Sequence, residues 1–205
     1  MASRAVRVFL LSPARSSGLR ASSLQHAQGE LGEALRSAQG AELGAVFSFL
    51  SSLYFRGKLS YAQRFAADDL PAPGSLVITP GHGLCRPATR IHATDLSAIG
   101  QVDVDLANPL FLEPFLRDTK LLAEALPSHA EVVLLGSIAT PKYVDPLLGM
   151  FGERLLFPSA FVGRGDMSRG GLCLRAARAG VELDYTPVAS SERRGPRAAR
   201  LAKLR

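Results

Sequence analysis

Cysteine is nearly absent from this chain. Two residues in 205, Cys85 and Cys173, stand far apart, with no CxxC and no His/Cys spacing of the kind a zinc site needs. No metal is expected, and both side chains read as reduced thiols in or near a core. Long hydrophobic runs are missing too. The longest near the start, Val8–Leu11, falls far short of the roughly 20 residues of a membrane-spanning helix and is also too short for a secretion signal. A soluble, cytoplasmic protein without a membrane partner is expected. No Walker motif, GxGxxG, GxSxG or HExxH occurs, and no cofactor is expected.

What the chain has is enough apolar material for one well-buried core, with 47% hydrophobic residues. Its net charge of +6 is unevenly placed. From Ser191 to Arg205 six basic residues (Arg193, Arg194, Arg197, Arg200, Lys203, Arg205) face one acid, Glu192, so the rest of the chain is close to neutral. The expected organisation is one α/β domain over 1–189 and a basic, disordered tail over 190–205. Such a tail can grip phosphate backbones without sequence preference; a solvated C-terminus is the plainer reading.

Continuous apolar runs at Arg7–Leu11, Ser75–Thr79 and Glu131–Leu135 read as buried strands of a parallel sheet, joined by a shorter one at Leu155–Phe157. QVDVDL, from Gln101 to Leu106, alternates and predicts a further short strand. Val181–Val188 is expected to return as an edge strand. Helical patterns cover Ala21–Ser37, Gly44–Leu53, Tyr54–Ala67 and Leu110–Leu126, and a last helix ends at Gly180. Asp68–Gly74 reads as a loop.

Four strand ends deliver polar turns, at 12–20, 79–84, 136–143 and 158–169. In open α/β sheets ligands sit outside the carboxyl ends of the strands, so the turns supply the candidate residues. Ser12 and Arg15 lie on the first. The second, PGHGL, holds His82 and Gly83; an imidazole between two glycines can donate, accept or stack. The third has Ser137 and Lys142 around a strand-to-helix turn with Pro141. The fourth, FVGRGDMSRGG, combines Arg164, Asp166, Ser168 and Arg169 with four glycines before a helix, a setting suited to an anion. Arg56 and Lys58 stand at the entrance of the Tyr54–Ala67 helix, where cations oppose the helix dipole and hint at a negatively charged visitor. Tyr61 lies one turn further on. Each feature has a plainer reading, as a cap, a core side chain or a solvated charge.

Several of these segments are also familiar together. Leu11-Ser12-Pro13-Ala14-Arg15 resembles the ISPAK-type start of the YaaA family of bacterial peroxide-stress proteins. Tyr54-Phe55-Arg56-Gly57-Lys58 with Tyr61-Ala62, then Ile78-Thr79-Pro80-Gly81-His82-Gly83-Leu84 and Pro87, is similar to the pattern of small domains related to YaaA. Gly163 to Arg169 resembles that family's late ARGLMSR segment, although Asp166 replaces an apolar residue and the chain is shorter. The resemblance implies an α/β fold allied to the uracil-DNA glycosylase fold, which also has a relative in archaeosine synthase, and nucleic-acid binding of the sort attributed to YaaA. The expectation is thus a single-domain, three-layer arrangement around a mostly parallel sheet, resembling uracil-DNA glycosylase.

The leading functional expectation is a nucleic-acid-associated protein, with DNA ahead of RNA, whose cleft takes a phosphate or a nucleobase, in DNA protection or repair. Arg15, Arg56, Lys58, Lys142, Arg164 and Arg169 would handle anions, and His82 or Tyr61 would stack or hydrogen-bond. An alternative is an enzyme on a nucleobase or nucleotide, with Asp166 and His82 as catalytic pair; a carboxylate flanked by two arginines suits a base better than an acid. The third is a noncatalytic interaction module. Oligomeric state is not readable from the sequence.

Overall fold

The computed structural model describes residues 6–66, 72–199 and 201. Part of the expected 68–74 loop and Arg200, Lys203 and Arg205 of the tail lie outside the described residues. In chain order the elements are β1 (Arg7–Leu11), α1 (Leu19–His26), α2 (Glu30–Arg36), β2 (Ala41–Glu42), α3 (Leu43–Ser51), α4 (Leu53–Phe65), β3 (Ser75–Thr79), β4 (Gly83–Cys85), β5 (Arg90–Ile91), α5 (Ala93–Gln101), α6 (Pro109–Ala125), β6 (Glu131–Leu135), α7 (Pro141–Phe151), β7 (Leu155–Pro158), α8 (Asp166–Ala179) and β8 (Tyr185–Pro187).

Six strands form one sheet in the order β4-β3-β1-β6-β7-β8, and β2 pairs with β5 in a small ribbon. The central four, β3, β1, β6 and β7, are parallel; β4 and β8 are antiparallel edges. The apolar runs give this result directly. Val8–Leu11 and Val132–Leu135 are fully buried neighbours in register, Phe9 opposite Val133 and Leu11 opposite Leu135, as a strand covered on both faces requires. Each such aliphatic or aromatic side chain contributes about 1.5–3 kcal/mol on burial.

The connections give the sheet a reversal point. From β1 the chain steps outward to β3, while from β6 it steps the opposite way to β7. With right-handed crossovers, α4 and α7 then cover opposite faces; α8 packs on α4, and α6 packs on α7 and β4. The reversal falls between β1 and β6, and the turns after all four parallel strands open at that same edge.

The two helices nearest the reversal meet backbone to backbone. A Cβ on Gly57 of α4 would overlap the Gly170 carbonyl of α8, and one on Gly170 would stand 2.5 Å from Tyr54 Cα. Only glycine allows that approach. It brings the face of α4 that carries Tyr54 and Lys58 against the start of α8.

Two expectations change. The 101–106 stretch is not a strand: Gln101 ends α5, and Asp103 and Asp105 fold the next residues on themselves. Asp105 N–H donates to the Asp103 carbonyl (3.0 Å), and Ala107 N–H to Asp105 Oδ1 (2.9 Å). Backbone groups satisfied inside such a turn are not free for a ladder. Ala21–Ser37 is two helices, α1 and α2, interrupted at 27–29.

The described part of the tail, 190–199, has no helix or strand, yet it is tied to the body. Arg193 pairs with Asp145 of α7 at 2.8 Å, Ala198 N–H donates to the Gly163 carbonyl at 3.1 Å, and Arg164 Nη1 donates to the Ala199 carbonyl at 2.8 Å.

Candidate functional site

At the root of the β1 turn, Ser12 is buried and its partners come from α4. Lys58 Nζ donates to the Ser12 carbonyl at 2.6 Å and lies 2.8 Å from Ser12 Oγ. Tyr54, one helical turn before Lys58, places its hydroxyl 3.4 Å from the same Oγ and its ring 4.0 Å from Nζ. Phe55 offers a second ring face to the amine at 5.1 Å. Gly136, at the end of β6, completes the enclosure, because a Cβ there would stand 2.9 Å from Ser12 Cβ.

Lys58 is fully buried, and among the described residues no carboxylate forms an ion pair with it. Burial lowers its ammonium to about 7, helped by the positive charge of Arg169 and opposed by Cys173 and Asp166. Burial pushes the Cys173 thiol up to about 12, against the pull of Lys58, and raises the Tyr54 and Tyr143 hydroxyls. Asp166 and Arg169 act on all three of Lys58, Tyr54 and Tyr143, which places the start of α8 beside this cluster. A lone buried amine at a sheet's reversal point is costly to keep for packing alone.

Cavities lie on both sides of the β6–α7 turn. One of about 320 Å³ is bounded by Arg15, Ser16, Pro80, Asp103 and Lys142, at the ends of β1 and β3; it shares Asp103 and Lys142 with a groove of about 430 Å³ running toward Asn108. The other, of about 250 Å³ at the ends of β6 and β7, is lined by Phe161, Arg169, Arg193 and Arg194 together with residues 138–139 and 162–163. A further cavity of about 300 Å³ sits at the opposite edge, against Ser75 at the start of β3, away from these turns.

Of the residues singled out in the sequence, Ser12, Lys58, Asp166 and Arg169 belong to one cluster, and Arg15 and Lys142 line the first cavity. Arg169 is mostly buried, held by the Phe161 carbonyl at 3.2 Å and by Asp166 at 3.3 Å. Arg164 holds structure, donating to the carbonyls of Ala160 and Ala199 and to Ser168 Oγ. Ser137 accepts from Ala139 N–H and so closes its own turn. Arg56 is exposed on α4.

Three of the chosen residues stand elsewhere. Tyr61 is buried further along α4, bonded to the Tyr185 hydroxyl and accepting from Leu183 N–H at 2.8 Å, so it braces β8 instead of facing the cleft. Gly83 begins β4, tight against Asp118, which accepts Leu84 N–H at 2.9 Å. His82 closes a turn in which its N–H donates to the Thr79 carbonyl at 3.0 Å, with Pro80 and a left-handed Gly81 (φ 78°) at the centre. That is the geometry of a type II turn, and Pro-Gly is its sequence signature.

His82 and Asp166 leave strands separated by β1 and β6, three spacings of about 4.8 Å each, and among the described residues the His82 ring makes no hydrogen bond. No hydrogen bond joins His82 to Asp166. Tyr54, Tyr143, Arg193 and Arg194 are not among the site residues the sequence singles out. Tyr54 carries a signal, since it shares a helix face with Lys58 at i, i+4; the two arginines read only as part of a basic tail suited to phosphate backbones, and Tyr143 carries no signal.

Among the described residues no group of His, Cys, Asp and Glu is arranged to hold a metal ion, and no helix is long and apolar enough to cross a membrane. No family model, curated protein or solved structure matches this chain.

Proposed function

We propose that this chain binds a phosphate-bearing ligand, nucleic acid or nucleotide, along the edge where β1, β3, β6 and β7 end. The observation that carries the reading is the pair of cavities flanking the β6–α7 turn, each lined by cations: Arg15 and Lys142 on one side, Arg169, Arg193 and Arg194 on the other. Guanidinium groups suit phosphate oxygens because their donors are forked and their charge is permanent. Phosphate contacts position a nucleic acid without reading its sequence.

Lys58 takes a different part from the one its charge suggests. Enclosed between α4 and β1, it fixes Ser12 at the root of the turn that carries Arg15, so it sets the shape of the cleft without touching the ligand. The resemblance of the 11–15 and 163–169 segments to the YaaA family also supports nucleic-acid binding and a fold allied to uracil-DNA glycosylase, with a role in DNA protection or repair.

Anisotropy of labelled short DNA and RNA, followed from about 50 to 300 mM salt, tests the reading. Binding should weaken linearly in log–log form, and Arg15→Ala with Lys142→Ala should lower affinity about tenfold and flatten the slope by nearly two. No binding at the lowest salt would overturn it. So would affinity that depends only on Arg197, Arg200 and Lys203 of the tail and ignores the edge residues.

A further inference from the structure

The cavity at the ends of β6 and β7 differs from the open groove beside it, because the C-terminal segment forms one of its walls. It is lined by Ile138 and Ala139 after β6, by Phe161 to Gly163 and Arg169 after β7, and by Arg193 to Gly195 of the C-terminal segment. The segment is tied down beyond that point. The Pro196 carbonyl fills the space beside Gly163, Ala198 N–H bonds to the Gly163 carbonyl, and Arg164 holds the Ala199 carbonyl.

The charges are arranged with the same economy. Arg193 is oriented by Asp145 and Arg169 by Asp166, so both forks are held in place before any ligand arrives. Arg194 lines the cavity and, among the described residues, has no ion-pair partner. Three guanidinium groups line the cavity, two of them oriented by carboxylates that do not line it, so an anion there meets three forked donor sets and a net positive charge. A phosphate monoester carries close to two negative charges at pH 7 and offers three oxygens to forked donors. An internal phosphodiester carries one charge and continues on both sides. To pass through this cavity a strand would have to displace the 196–199 ties.

Building on the nucleic-acid reading above, we propose that Arg169, Arg193 and Arg194 form a pocket for a terminal phosphate monoester, the phosphorylated end of a nucleic acid strand or the phosphate of a mononucleotide. The basic segment after residue 190 is then a wall of the site and not only a loose electrostatic arm. A diester backbone continues from the pocket toward Lys142 and Arg15 when the ligand is a strand, and is absent when it is a mononucleotide.

The test compares one hexanucleotide with a 5′-phosphate, a 3′-phosphate or hydroxyl ends, together with a mononucleotide and inorganic phosphate measured by calorimetry, on the full chain. Wild type should bind one phosphorylated end about tenfold more tightly than the hydroxyl-ended strand. Arg194→Ala, which removes no contact that holds the loop, should erase that preference, and Arg169→Lys should reduce it by keeping charge without the fork. Arg178→Ala, an equal charge loss at the exposed far end of α8, should leave it intact. Equal binding of all three hexanucleotides, with the edge variants still effective, would overturn the pocket and leave the nucleic-acid reading standing. Inorganic phosphate or mononucleotide that binds wild type but not Arg194→Ala, with no hexanucleotide binding, would support the pocket and overturn the nucleic-acid reading. Loss of preference in Arg178→Ala as well would reduce the effect to net charge and overturn the pocket.

Discussion

Lys58 Nζ and Ser12 are joined twice, at 2.6 Å to the carbonyl and 2.8 Å to the hydroxyl, inside a shell of aromatic rings with no ion-pairing carboxylate among the described residues. The contact links the helix that packs on α8 to the strand at the sheet's centre. Several consequences can be measured.

The first concerns pH. Burial lowers Lys58 from 10.5 to about 7 in the folded chain, so between those values the unfolded state holds the proton and the folded state does not. Stability therefore rises with pH across that window, by at most about 1.4 kcal/mol per unit. Below pH 7 both states are charged and the full burial penalty applies; above 10.5 both are neutral and it has gone. In denaturant melts, the stability advantage of Lys58→Met over wild type should shrink steadily from pH 7 to 10. A difference that stays constant across the window would show that Lys58 is not depressed.

The second concerns the approach of α4 to α8. Gly57→Ala and Gly170→Ala each force a methyl group into backbone of the facing helix and should cost about 3 kcal/mol, read as a lower denaturation midpoint. Because Tyr54, Lys58 and Arg169 ride on those helices, oligonucleotide affinity should fall with stability. Full affinity in either variant would mean that the site does not depend on this contact.

Tyr61 separates packing from binding. Tyr61→Phe removes the acceptor of Leu183 N–H and the Tyr185 partner, which should cost about 1–2 kcal/mol in thermal or chemical melts. Ligand affinity measured on the folded variant should be unchanged. A large loss of affinity would put Tyr61 back in the cleft.

His82 gives the converse control. Its backbone closes the β3–β4 turn while its ring bonds to nothing among the described residues, so His82→Ala should alter stability by less than about 0.5 kcal/mol and leave binding alone. Lys142→Ala, on the cavity wall, should weaken binding severalfold. An inactive His82→Ala beside a silent Lys142→Ala would reverse those assignments.

The buried strands were legible because a strand covered on both faces must be a continuous apolar run, and 7–11, 75–79 and 131–135 are such runs. Alternation at 101–106 misled because Asp105 closes a local turn, its N–H bonded to the Asp103 carbonyl and its side chain accepting Ala107 N–H. The strand-end turns open at one edge, since turns after parallel strands share a side. They do not by themselves identify the residues that build the turns: PGHG reads equally as a binding loop and as a type II turn, and the Thr79–His82 hydrogen bond shows the turn. Ser12 and Lys58 are 46 positions apart, and no local pattern announces that pairing. Arg193 and Arg194 read as members of a charge run because their placement depends on Asp145 and the 162–163 loop, both distant in sequence.

Hydrogen–deuterium exchange of the full chain, with and without a short phosphorylated oligonucleotide, addresses the central claim most directly. Protection is expected at 12–17, 136–142 and 161–169, the turns that leave β1, β6 and β7 at one edge. Protection confined to 73–75 and 127–131, at the other ends of the strands, or none outside the tail, would contradict it.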